Sequence, residues 1–240
     1  MKNRKYLSVY LWLLPILFTS CVGAYNMSVD MNKYETSLKY LYDTPANSRK
    51  KNVTVKINPI IMKASFPDSA EVKKKKIVFI PALIFYYWKA DYECMIGRKN
   101  IIENPENFIK ESFITEANRS GSFIASKDSG DYTLELAVNG MESKGPYREH
   151  GYLFFLVYAR YSNHYSAGPG VSNMTVSYKL KRGDQLIKEG VIEKSSMTPM
   201  PYSRSAKVLR KNYTINMTEA LSKGIKAVIE NIVKEISSGI

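Results

Sequence analysis

Hydrophobic and polar positions change period several times along the chain, and the changes mark out elements. Residues 6–18 form an almost unbroken apolar run behind Lys2, Arg4 and Lys5. Residues 22–51 are polar and irregular, with a short helix expected around Tyr34–Leu41. VTVKI (53–57) alternates with the period of a half-buried strand, and Ile60–Met62 continues it after Pro59. FPDSAEVKKKK (66–76) predicts a turn and a charge run. Ile77–Tyr86 predicts a buried strand, with Pro81 marking a bulge or an edge position.

A helix is predicted over 105–119. Pro105 suits its first turn, and Phe108, Ile109, Ser112, Phe113, Glu116 and Ala117 fall on one face. DYTLELAVNG then alternates, with Tyr132, Leu134, Leu136 and Val138 on one side. Residues 151–162 are an apolar run, SAGPGVS is a break, and MTVSYKL alternates again. Arg182-Gly183-Asp184 predicts a hairpin turn, with Leu186–Glu193 returning. The strongest helix carries Ala220, Leu221, Ile225, Val228, Ile229 and Ile232 on one broad stripe, with Lys226, Glu230 and Lys234 spaced to pair opposite. The order predicts an α+β fold: a mixed β-sheet with two helices packed on one face, preceded by a signal peptide and a flexible tether.

The first apolar run is about 13 residues, whereas a bilayer span needs roughly 20. With its basic start it reads as a cleaved secretory signal. Phe18-Thr19-Ser20-Cys21 has the form of a bacterial lipobox: apolar, small, small, cysteine. The Cys21 thiol would accept a diacylglyceryl group and become the first residue of the mature chain. Val22-Gly23-Ala24 offers a second cut, by the general signal peptidase. The lipobox reading divides the chain into a signal peptide (1–20), a lipidated N-terminus and tether (21–51), and a single α+β periplasmic domain (52–240). Two or more acyl chains would anchor it to the membrane permanently. Val22 after the cysteine, with no acidic cluster following, favours a periplasm-facing position on the outer membrane.

The formal charge is +13, about +10 once a leader with three basic and no acidic residues is removed. That favours anionic partners such as lipid, glycan or an acidic protein surface; a secreted lipoprotein has little occasion to meet nucleic acid. A lysine-rich composition also keeps a protein soluble without any partner. Cys94 is the one cysteine besides Cys21, so no disulfide framework forms if Cys21 is acylated. Six Asn-x-Ser/Thr sequons are without consequence in a bacterial protein.

Recognisable catalytic chemistry is sparse. His150 and His164 are the only histidines and lie in no metal-ligand spacing. No serine stands in a nucleophile elbow, and Cys94 reads as a packed thiol. The chain is therefore expected to be no enzyme, and no metal or cofactor is expected. Two aromatic groups are more informative: FYYWKADYE (85–93), and Tyr147, Tyr152, Phe154, Phe155, Tyr158, Tyr161 and Tyr165. If they meet, they form an aromatic surface flanked by Lys89, Arg98, Lys99 and Arg148. The candidate partner or ligand surface is Tyr86, Tyr87, Trp88, Tyr92, Arg148 and Tyr152. The alternative is that half of these rings are core.

A lipobox, a tether and the order β-α-β-β-β-α resemble small envelope lipoproteins such as LptE of lipopolysaccharide assembly and the PqiC-type auxiliary lipoproteins of ABC transport systems. The residue-level match is Phe18–Cys21; the rest is an ordering of elements over about 52–237. The resemblance implies a non-catalytic outer-membrane lipoprotein acting as an accessory in envelope biogenesis or transport, with an envelope protein as partner. The alternative is a ligand-binding lipoprotein that uses its aromatic, basic surface for a glycan or lipid.

Overall fold

A computed structural model describes residues 24–42, 52–82, 84–155 and 159–240. Phe18, Thr19, Ser20 and Cys21 lie outside the described residues. The fold is α+β, a mixed sheet with helices. In chain order the elements are α1 (residues 24–31), β1 (Thr54–Ile57), β2 (Ile61–Met62), β3 (Glu71–Pro81), β4 (Phe85–Met95), a 3-10 turn (Arg98–Asn100), α2 (Pro105–Ser120), β5 (Ile124–Ser126), β6 (Tyr132–Phe155), β7 (Ala159–Ala167), β8 (Val171–Arg182), β9 (Gln185–Met197) and α3 (Ala206–Ser237). Among the described residues no helix is long and apolar enough to cross a membrane.

Strand β6 is the spine. Its first half pairs in parallel with β1 and β2 on one side and antiparallel with β8 on the other. Its second half pairs with β4 and β7, both antiparallel. Leu134, Leu136 and Val138 point inward; the register to β8 then skips Asn139, and Met141, Ser143 and Tyr147 point inward instead. This bulge keeps one strand facing one core over a length that simple alternation would not have served. Helix α3 covers β8 and β9, and α2 packs beside it, with Phe113 against Phe123 at 6.3 Å.

Helix α2 matches its expected span, with Asn104 accepting from the backbone N–H groups of Glu106 and Asn107. Gly183, at φ 58°, makes the expected hairpin turn. Three expectations are corrected. The run Ile77–Tyr86 is not one strand: Pro81 ends β3, and the chain reverses before Phe85 opens β4. The lysine run 73–76 is not a turn but part of the edge strand β3. Helix α3 starts at Ala206, directly after the Pro-rich stretch TPMPYSRS as the sequence order predicts; Thr214 and Thr218 donate to backbone oxygens one turn back (3.0 and 3.3 Å) and so lie in the buried stripe with their hydroxyls satisfied.

The third correction concerns the tether. Residues 24–42 belong to the folded body: Met27, Met31 and Leu38 are buried in the core, and Thr36 bridges Ile101 in an extended segment where a helix was expected. Met27 and Met31 stand one turn apart, so α1 has an apolar stripe of just two methionines. That is too short a signal to distinguish from a polar linker.

Candidate functional site

Burial along β4 changes character at Ala90. From Ala90 to Met95 it alternates between buried and half-buried, the pattern of a sheet with one covered face. From Phe85 to Lys89 every residue is half-buried, so neither face is covered. The sheet therefore runs on past its helices as a four-stranded arm in the order β3–β4–β6–β7.

The register aligns the arm in tiers. Phe85 stands opposite Phe154, and Phe154 opposite Arg160. Next come Pro81, Tyr86, Leu153 and Tyr161, then Ile80, Tyr87, Tyr152 and Ser162. The fourth tier is Phe79, Trp88, Gly151 and Asn163; the fifth is Val78, Lys89, His150 and His164. The two aromatic groups of the sequence thus meet by direct strand pairing.

Alternate tiers point to alternate faces. On the helix side, Phe79 lies 6.2 Å from Tyr86, and Trp88 stacks on Tyr161 at 5.6 Å. On the opposite side, Phe85 stacks on Tyr152 at 6.2 Å and His150 on His164 at 5.2 Å. Ile80 is 51 % exposed and Tyr161 61 %. Asn163 donates to the hydroxyls of Tyr161 and Tyr165. Rings this accessible, on both faces, offer large contact area with polar tips.

Of the six candidate surface residues, Tyr86, Tyr87, Trp88 and Tyr152 stand on the arm, half-buried. Arg148 lies at its base, where it donates to Asp91 at 2.6 Å. That hydrogen bond, with the charges of Arg148 and Lys89, holds the Asp91 carboxyl below the usual range. Tyr92 is a correction: it is core, 5 % exposed, packed against Tyr147 at 6.5 Å. Arg98 and Lys99 do not flank the arm, because they follow the far end of β4. Lys73 and Lys75 are paired with Glu71 and Glu93 at 3.4 and 3.2 Å. The sequence reading missed Phe79, Ile80 and Leu153. Their signal was apolarity in both phases of a strand, read there as full burial.

Cys94 is fully buried, its thiol pushed well up by that burial and directed at Met27 Sδ, 3.8 Å away. It faces the helices, whereas His150 and His164 face the other side, so the sheet separates the thiol from both imidazoles. Ser162 Oγ lies 3.0 Å from His164 Nε2, and the other neighbour of that imidazole is His150 rather than a carboxylate. Among the described residues no three His, Cys, Asp or Glu side chains group as a metal site.

No protein-family model matches the chain, and no curated protein matches it. Among solved structures it is similar to the crystal structure of protein XCC0632 from Xanthomonas campestris, of the domain family DUF330, at a TM-score of 0.44 and 9 % identity, over 85 % of this chain and 95 % of that one. A likeness at that level carries no argument about activity or partner.

Proposed function

We propose that the protein is a non-catalytic lipoprotein of the bacterial outer membrane, held through an acylated Cys21, that serves as an accessory in envelope biogenesis or transport and works by contact through its arm. The observation that carries this reading is the register: it gathers aromatic residues of four strands into a projection that no described helix covers. The lipobox supports the anchor, and a buried cysteine whose thiolate is disfavoured by that burial supports a role without covalent chemistry.

Native mass spectrometry of the protein extracted from its own membranes tests both halves. A chain beginning at Cys21 with the mass of a diacylglyceryl group supports the anchor; one beginning at Tyr25 without lipid overturns it. A co-extracted membrane protein that is lost on Trp88→Ala, with folding intact, supports the accessory role. The ligand-binding reading is favoured by the stacked pairs Trp88–Tyr161 and Phe85–Tyr152, a geometry that suits sugar or acyl faces. It predicts an acylated monomer carrying a small glycan or lipid and no protein.

A further inference from the structure

The geometry points to the bilayer itself as what the arm touches: its tip enters the interfacial layer of the same leaflet that holds the acyl chains of Cys21. This rests on the reading of the arm as a contact surface and of Cys21 as the anchor.

The first argument is direction. The Met31 carbonyl accepts from Asn100 Nδ2 at 2.9 Å, beyond the base of β4. Met27, one turn earlier, meets Cys94 within β4. Going back along α1 therefore means moving toward the arm. From Met27 to Ala24 the helix advances about 4.5 Å, and the three residues to Cys21 span at most about 11 Å. The acylated end thus reaches no further than about the level of Lys89, about five residues from Cys94 at about 3.3 Å each. The tiers from Trp88 to Phe85 project beyond it.

The second argument is chemistry in order of height. Phe85, Phe154 and Arg160 lead, four tyrosines and Trp88 follow among Pro81, Leu153, Ile80 and Phe79, and Lys89 and the histidine pair come behind. An apolar tip, an aromatic belt and a cationic base match the order of hydrocarbon, interface and headgroup. The described residues of these five tiers include no aspartate or glutamate; their charges are Lys89 and Arg160. Arg160 sits at an edge, where a long side chain reaches back to headgroups. Both faces of the arm are open, so a protein docked on one would leave the other wet, whereas lipid surrounds both.

Depth is set by the backbone. Among the described residues, β3 along the arm pairs with β4 alone and β7 with β6 alone, so each leaves an edge that no described strand pairs. Hydrocarbon cannot satisfy those edges. The tip therefore stops in the headgroup and acyl boundary, about 5–10 Å deep. Pro81 removes one donor from the β3 edge at that depth.

The test uses the full mature chain with Cys21→Ser, so that binding reports the arm and not an acyl group. Once the leader is gone Trp88 is the sole tryptophan. With vesicles of phosphatidylethanolamine and phosphatidylglycerol, Trp88 emission is expected to shift to the blue and to be quenched by lipids brominated on their acyl chains. Phe85→Ser with Phe154→Ser should lower vesicle affinity more than tenfold while leaving the melting temperature in place; the quenching in the unmutated arm needs no variant and stands if the double variant unfolds. Absence of both flotation and quenching overturns the bilayer as partner. If a co-extracted membrane protein is then still lost on Trp88→Ala, the arm remains a contact surface for protein. If nothing is lost, the contact reading falls as well. Vesicle-independent oligomers that dissociate when the β3 or β7 edge is altered would overturn the proposal in favour of edge pairing between copies.

Discussion

Trp88 on β4 and Gly151 on β6 stand directly opposite each other, and the indole fills the space that a side chain at position 151 would need. Asn163, the partner of Gly151 on β7, closes the same space from the other side. Gly151→Val is therefore expected to push Trp88 off its tier. Overpacking of this kind costs about 1–3 kcal/mol. Thermal unfolding together with Trp88 emission reads both effects, and an unchanged emission spectrum would mean that the ring is not seated on the glycine.

Arg210 ties α1 to α3 through Asp30, and the pair is largely shielded from solvent. Burial raises the Asp30 pKa, but hydrogen bonds from Lys33 and Arg210 outweigh it, so the carboxyl stays below its ordinary 3.8. A depressed carboxylate contributes stability above the unfolded value and loses it as pH falls through the folded one. Protection of the α1 amides from hydrogen exchange should therefore drop on acidification below 3.8 before that of the β6 amides. Arg210→Met should produce the same loosening at neutral pH, at a cost of about 1–3 kcal/mol.

The stacked His150 and His164 give the arm a second pH response. Burial, and then the neighbouring charges of His164, Arg148 and Lys89, hold His150 below its ordinary 6.5. Between that value and the lower folded one the unfolded chain binds the extra proton, so stability falls as pH falls. The melting temperature should decline from about pH 7.5 to about pH 5.5, across the range where an unperturbed histidine titrates. His150→Gln should flatten that decline. An equal slope in the variant would assign the effect elsewhere.

Cys94 should be silent to thiol reagents in the folded, acylated protein and should titrate as one thiol on denaturation. Its burial and raised pKa withhold the thiolate that such reagents attack. Rapid labelling of the native protein would place Cys94 in a segment that opens locally.

Where each residue's role was set by its near neighbours, the sequence was enough. The α2 helix follows from Pro105 and one apolar face; the β8–β9 hairpin from Gly183; the final helix from a broad aliphatic stripe. The α+β class follows from the order of those pieces. Other parts depended on partners far along the chain. Whether Ile77–Tyr86 was one buried strand or a reversal at Pro81 turned on which side β6 would pair, and α1 needed Cys94 and Arg210 to reveal two methionines and an aspartate as a docked helix. The same holds for the arm. Tyr92 and Trp88 are four residues apart on one face of one strand and read alike in sequence, yet one is core and the other lies half-open. The difference is the length of the helices above them. Helix length is written in residues, but how far the cover extends over a given strand is decided only when β6, at 24 residues, outruns the body it belongs to.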